Sequence, residues 1–304
     1  MLPNVYRTWA TIRLKDLKPW IAAWTLPEMY AGIEGQGAAD AAYSTALQIE
    51  HCMVNGLDFT GGASDVYKCF DQVQRPIIYA MLKKAGMPRR ILKTYEKFQE
   101  GLTAYNTIAG GIGEGYKKPT SVPQGDPLSM MVTALQMRPW IMQMKSMAVK
   151  PRILADDLQI FATGPRHLEW FTHAFDKTHL HLQDMGARIA PQKSLTFSSN
   201  NTARQWLRNH KWRILQDVVP VVNTCRDLGA HLNSLVNKKD GKTLTDRMHK
   251  AAGCAEMMGY IKTTYQNKRT VIKGKILPMG LYGCEVAPIN EAVLTNGTCD
   301  EARL

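Results

Sequence analysis

Arg152 to Phe161, R-I-L-A-D-D-L-Q-I-F, is the stretch on which the reading of this chain turns. Apolar residues flank a bare pair of carboxylates, Asp156 and Asp157. The flanks predict two short strands, and the acids the tight turn between them. Neighbouring carboxylates repel, and they stay ionised together most readily beside a cation. Hard divalent ions such as Mg²⁺ prefer carboxylate oxygens, so the pair is a candidate metal site. Two acids alone also suit a solvated hairpin turn, since Asp is a common turn residue. The rest of the chain has to decide between the two.

A chain of 304 residues is long enough for two or three subdomains with their own cores. The apolar fraction of 45% is ordinary for a globular protein, but the net charge of +12 is not. It is concentrated: Asn201 to Lys275 holds 15 Lys or Arg against 5 Asp or Glu, a net of +10. Such a block suggests a polyanionic partner, nucleic acid being the commonest. The six cysteines form no C-x-x-C pair, which fits reduced thiols and an intracellular setting. No apolar run approaches the roughly 20 residues of a membrane span.

Taken in order, Met1–Trp24 predicts a helix with Trp9, Ile12, Trp20 and Trp24 at helical spacing. Arg7, Arg13, Lys15 and Lys18 give it a basic side. A glycine-rich turn then leads into a helix through Ala42, Leu47 and Ile49. Leu57–Val73 reads as a strand running into a helix, with Asp65 at the strand end. Pro76–Met87 is amphipathic through Ile77, Ile78, Met81 and Leu82, and Ala85-Gly86 is its stop signal. A second helix follows over Pro88–Phe98. T-I-A-G-G-I-G-E-G-Y (Thr107–Tyr116) lacks a Gly-Lys-Ser/Thr ending and reads as a glycine hairpin rather than a phosphate loop. S-V-P-Q-G-D-P-L-S (Ser121–Ser129) is a turn before a Met-rich core helix, with a kink expected at Pro139. His167, His173, His179 and His181 match no usual zinc spacing and read as ordinary histidines. Gly186–Ser194 and Cys225–Leu232 read as turn-plus-strand elements, and a basic helical pattern begins at Thr243.

Asp65 and the Asp156-Asp157 pair each lie at a predicted strand end or turn. If those strands are neighbours, three carboxylates meet in one small area. That arrangement suits two divalent ions about 3.5–4 Å apart, as used for in-line phosphoryl transfer. With a basic track for phosphate backbones, a nucleotide polymerase is the natural reading.

The ordered motifs carry a family resemblance over nearly the whole chain. D-V-Y-K-C-F-D (Asp65–Asp71), V-P-Q-G-D-P-L-S (Val122–Ser129), L-A-D-D (Leu154–Asp157), G-A-R-I-A-P-Q-K-S (Gly186–Ser194) and R-D-L-G (Arg226–Gly229) resemble motifs A to E of a reverse transcriptase domain. K-I-L-P-M-G-L-Y-G-C-E-V (Lys275–Val286) resembles the thumb segment, and P-N-V-Y-R and the helix carrying Asp40-Ala41 the finger motifs. The domain looks like that of non-LTR (LINE-type) retrotransposons, related to group II intron proteins. P-Q-G-D-P-L-S is the specific signal; A-D-D alone is weak.

The resemblance implies an α+β right hand: fingers over 1–55, a palm with an antiparallel sheet and inserted finger helices over 56–236, and a helical thumb over 237–304. It implies RNA-templated DNA synthesis from dNTPs on a primer 3′-hydroxyl, with two Mg²⁺ (or Mn²⁺) ions. Template RNA and primer DNA would be the partners, with no membrane and a nuclear location expected. Asp65, Asp156 and Asp157 would be the catalytic metal ligands, with the Val66 carbonyl helping. Phe70 falls at the steric-gate position, where its ring would exclude a ribose 2′-oxygen. Gln124 and Gly125 would line the nucleotide pocket, glycine allowing close backbone approach. Lys193 would assist pyrophosphate departure. Lys262, Lys268, Arg269 and Lys273 are expected on the nucleic-acid track. Leu154 stands where the family has an aromatic residue, Ala190 where it has Asn, and G-Q-G-A-A-D-A (Gly35–Ala41) lacks the usual Arg. Arg7, Arg13 or Lys15 would then take over triphosphate contacts. The chain starts past the family's first finger strand and stops early in the thumb, as expected of a fragment. Two alternatives use the same residues: a catalytically silent module that binds RNA or RNA–DNA duplex, and a metal-dependent phosphohydrolase, which leaves P-Q-G-D-P-L-S and Phe70 without a role.

Overall fold

A computed structural model describes residues 2–228, 230–234 and 242–286. Its elements run α1 (Asn4–Asp16), α2 (Lys18–Trp24), α3 (Ala38–Val54), β1 (Phe59–Asp65), α4 (Cys69–Gln72), α5 (Arg75–Lys84) and α6 (Arg89–Gly101). Then come β2 (Ala104–Ile108), β3 (Gly111–Tyr116), α7 (Ser129–Lys145), β4 (Lys150–Leu154), β5 (Asp157–Thr163), α8 (His167–Asp184), β6 (Leu195–Ser198) and α9 (Asn201–Asn209). Last are β7 (Thr224–Asp227), β8 (Ala230–Asn233), α10 (Lys242–Tyr260), α11 (Tyr265–Val271), a π-helical turn Ile272–Ile276 and α12 (Leu277–Leu281).

The centre is a four-stranded antiparallel sheet in the order β4-β5-β1-β6. Period-two alternation gives each face its own partners. From β1, Thr60 and Ser64 meet His167 and His179 of α8, and a Cβ at Gly62 would lie 2.8 Å from Phe171. Leu158, Ile160 and Ala162 of β5 join α7 and α8 in the main core, built around Met131, Met137, Trp140, Phe171 and Phe175. The opposite face carries Phe59, Phe161 and Phe197, closed by Ile49 and Cys52 of α3. Gly61 is required there, because a Cβ would sit 2.5 Å from the Phe197 ring. Arg152 and Gln159, paired across β4 and β5, reach Ser44 and Thr45 of α3 and tie the hairpin to that helix.

Several expectations need correcting in detail. The first helix is two, because Pro19 restarts the chain as α2 after the buried Leu17. Its inner face is Tyr6 and Ala10; Ile12 is exposed. On α3, Ala42 and Ile49 are buried as read, but Leu47 is exposed, since the helix buries a stripe at Ala41, Thr45, Ile49 and Cys52. Ile78 and Leu82 form the inner face of α5, while Ile77 points outward. The glycine-rich segment is the β2–β3 hairpin. The Met-rich helix is α7, with Pro139 inside it. The segment Gly186–Ser194 has only a single bridge, Ile189 to Val66, before β6 begins. Arg226 and Asp227 end β7, while Gly229 and the expected 236/237 boundary lie outside the described residues.

Candidate functional site

Asp65 is the last residue of β1, and its direct antiparallel partner is Asp157, the first residue of β5. Such partners have Cα atoms about 4.5–5.5 Å apart and side chains on one face. Leu154 pairs with Asp157, so Ala155 and Asp156 form a two-residue hairpin loop. Ala155 takes the positive φ of 59° that such a turn needs at its first centre, a strained value for a non-glycine residue. The sequence reading put both acids in the turn; the structure puts one in the turn and one in the strand.

The segment after α8 closes the other side. Ala190 N–H donates to the Asp65 carbonyl at 2.9 Å, Asp65 N–H to Ser194 Oγ at 3.2 Å, and Tyr67 N–H to the Arg188 carbonyl at 2.9 Å. These bonds bracket Val66, which is buried. They also bring the Lys193 charge near Asp65. Burial pushes the Asp65 carboxyl above the usual carboxylate range, Lys193 pulls it back, and the Asp156 charge adds to the rise. Cys69 is buried nearby, its thiol pushed up to about 12 by burial and by the charges of Asp156 and Asp65. Lys68, between β1 and α4, is left-handed at φ 47°.

Val122 N–H donates to the Phe70 carbonyl at 2.9 Å and Ser121 N–H to the Val73 carbonyl at 3.0 Å. The turn carrying Gln124 and Gly125 is thereby held beside α4, with Phe70 half-buried and both turn residues exposed. Gly125 has φ 84° and open space where a Cβ would be. Its backbone angle, not a close approach within the chain, is what calls for glycine.

Sequence reading missed Asp126. It is 3% exposed, and its carboxylate accepts from the Tyr6 hydroxyl (2.8 Å), Gln99 Nε2 (2.8 Å) and Leu128 N–H (2.9 Å). It thus joins α1, α6 and the start of α7 directly behind Gln124 and Gly125. Burial raises its pKa, and the three donors oppose that rise. Asp before Pro at a turn was a legible Asx-turn signal, seen in the Leu128 N–H bond; the partners in Tyr6 and Gln99 were not. Arg75 was also missed. Nearly buried, it donates to the carbonyls of Lys118 (2.6 Å) and Gln99 (3.4 Å) and faces Glu100, holding α5, α6 and the approach to the turn together.

Asp65, Asp156 and Asp157 are hard oxygen donors at one sheet end, and the rise at Asp65 from burial and Asp156 is one a cation offsets. In donor chemistry, though not in spacing, the set suits a divalent ion. It is not a finished cage: among the described residues, no group of three or more His, Cys, Asp or Glu side chains is gathered closely enough to hold a metal. Of the expected track residues, Lys262, Arg269 and Lys273 are exposed. Lys268 instead donates to the Gly259 carbonyl at 3.1 Å, near the C-terminal end of α10.

An antiparallel sheet with acids at the β1 end and at an adjacent hairpin turn, backed by helices, is the palm of a right-hand polymerase. Residues 7–232 match the family model described as reverse transcriptase (RNA-dependent DNA polymerase). The chain belongs to the reverse transcriptase family. Solved structures share the fold. Telomerase from Candida tropicalis in complex with a TWJ fragment of telomeric RNA is 11% identical, with a TM-score of 0.52 over 98% of this chain and 48% of that one. Apo telomerase from the same organism is 12% identical, with a TM-score of 0.52 over 97% and 50%. A form truncated from its C-terminal domain is 11% identical, with a TM-score of 0.54 over 77% and 45%. The chain spans at most about half the length of these structures.

Proposed function

We propose that this chain is a primer-dependent RNA-directed DNA polymerase of the non-LTR retrotransposon type, transferring dNTPs onto a 3′-hydroxyl. The observation that carries the reading is the register of Asp65 opposite Asp157, with Asp156 in the adjoining turn. In this reading Asp65, Asp156, Asp157 and the Val66 carbonyl would hold Mg²⁺ or Mn²⁺, whose chemistry there would be neutralising charge for the triphosphate and acidification of the primer hydroxyl. Phe70 lies under the incoming sugar and selects deoxyribose. Gln124 and Gly125 shape the nucleotide pocket, and Lys193 offers its charge to the departing pyrophosphate. Residues 1–55, 56–236 and 237–304 serve as fingers, palm and thumb, with Lys262, Arg269 and Lys273 on the duplex track. The Lys268 contact with Gly259 gives that lysine a structural part as well.

Primer extension on an RNA template with an annealed DNA primer tests this, in Mg²⁺ and in Mn²⁺, beside Asp156→Asn. We expect extension by the parent and a loss of about a thousandfold or more in the variant, the scale of removing a charge-stabilising group. In the same assay Phe70→Ala should admit ribonucleotides. Tight, salt-sensitive duplex binding without extension would sink the catalytic reading and leave a binding module.

A further inference from the structure

Alternation along β1 turns Ser64 toward α8 and Asp65 to the opposite face of the sheet; a second feature lies on the α8 side. β6 pairs Leu195 with Ala63 and Ser198 with Thr60, and α9 follows it from Asn201. Leu207 of α9 and the following Trp212 belong to the core beneath α8, on the helix-covered side.

There Trp206 is 41% exposed. Its ring stacks on His210 with centroids 4.1 Å apart and planes 20° from parallel. His210 stands edge-on to the fully buried Trp212 at 4.7 Å and 90°, and Trp212 packs on Phe175 at 4.6 Å. The outer indole is thus held flat by a column rooted in the core, while its outer side meets solvent. A shallow basin of about 490 Å³ surrounds it, lined by Thr202, Gln205, Trp206, Asn209, His210 and Lys211. His210 Nε2 is buried with no hydrogen-bond partner among the described residues.

Charge supplies the third component. Arg208, Lys211 and Arg213 are exposed, and among the described residues their side chains show no hydrogen bond or ion pair. Arg204 is already engaged, donating to the Ser198 and Ser199 carbonyls at 2.7 Å each. The nearby acids are Asp217, which is exposed, and Asp176, whose charge bears on His210. A fixed aromatic plane, amides beside it and free cations around it match what a single strand offers: π-faces, base edges and phosphates. We propose that the Trp206–His210 stack is a second nucleic-acid site, which takes an unpaired segment of RNA or DNA on the side of the palm away from the acids. A stretch of template outside the duplex would be held there without entering the catalytic cleft.

The test uses the full chain carrying Asp156→Asn, without nucleotides, so its outcome is independent of polymerase activity. Unlabelled blunt RNA–DNA duplex is added to saturation to fill the catalytic face. Fluorescein-labelled 20-mers of one sequence, as RNA and as DNA, are then titrated by anisotropy. Trp206→Ala should weaken 20-mer binding by about tenfold or more, the scale of losing one base–aromatic stack. Trp206→Phe should retain most of it, and duplex affinity measured separately should not change. Lys211→Ala with Arg213→Ala should lower the salt slope by about 0.7 per lost phosphate contact, the single-strand value. Equal loss for both 20-mers assigns the site to single strands in general, and loss for RNA alone to RNA. Equal binding by the parent and Trp206→Ala would overturn the proposal. So would a parallel fall in duplex and 20-mer affinity, which would mark Trp206 as a structural residue.

Discussion

Asp126 shows how one residue can tie separate parts of the chain to the site. Its three donors come from Tyr6, Gln99 and Leu128, the first 120 residues away in sequence. Tyr6 is itself stacked on Phe98 at 3.4 Å, so the hydroxyl arrives on a fixed ring. Removing an acceptor from buried donors costs more than the bond alone, because each donor is left dry and unpaired. Asp126→Ala should therefore cost about 2–3 kcal/mol and Tyr6→Phe about 1 kcal/mol. In a double-mutant cycle by urea unfolding, the two should couple by about 0.5–1.5 kcal/mol. Effects that simply add would mean the hydroxyl and the carboxylate do not act together. Asp126 follows Gly125 directly, so Asp126→Ala is also expected to loosen the turn proposed to hold the nucleotide.

Among the elements, β1 is the one on which the site depends, and its two glycines follow from where it lies. A Cβ at Gly62 would stand 2.7 Å from the Leu195 carbonyl and 2.8 Å from Phe171. A backbone oxygen in a paired strand cannot yield as a side-chain tip can, so Gly62→Ala should force β6 or α8 outward. We expect a destabilisation of about 1–3 kcal/mol, the usual scale of overpacking. A thermal melt of Gly62→Ala matching the parent would show that the sheet can shift at no cost. These close approaches were invisible in F-T-G-G, where glycine reads only as a weak strand former. The strand ends carrying Asp65, Asp156 and Asp157 were legible, because alternation and turn chemistry are local. What alternation left open was the order β4-β5-β1-β6, which makes Asp65 and Asp157 partners; the resemblance implied that the three acids act together but not this strand order. Helix faces were read less well, as Ile12, Leu47 and Ile77 show. Each of these helices buries a narrow stripe, and a one-position error in phase turns a residue outward. The Trp206 column was not legible, since it needs α9, the following loop and α8 assembled.

At the scale of the whole molecule, the core encloses imidazoles that resist protonation. His179 is fully buried against Phe175 and Trp212, with Ser64 Oγ at 3.5 Å from its Nε2, and burial lowers its pKa from 6.5 to about 4. Burial also lowers His167, His181 and His210, each partly offset by a nearby acid. In the unfolded chain these groups take up protons below about 6.5, while folded His179 waits until about 4. Stability from His179 is therefore complete above pH 6.5 and is lost as pH falls toward 4, a span of about 3 kcal/mol. Asp65 and Asp126 have raised pKa values and act in the opposite sense, adding stability as the pH falls toward 3.8. The large shift at His179 is the basis for expecting a net loss on mild acidification. The urea midpoint at constant ionic strength should fall between pH 7 and pH 5, with about 2 kcal/mol of the change owed to His179. His179→Gln is expected to start less stable but to show a flatter pH dependence. The flattening separates this imidazole from the general repulsion that acid adds to a chain already at +12. A slope equal to that of the parent would mean His179 is protonated in the folded protein as readily as in the unfolded chain.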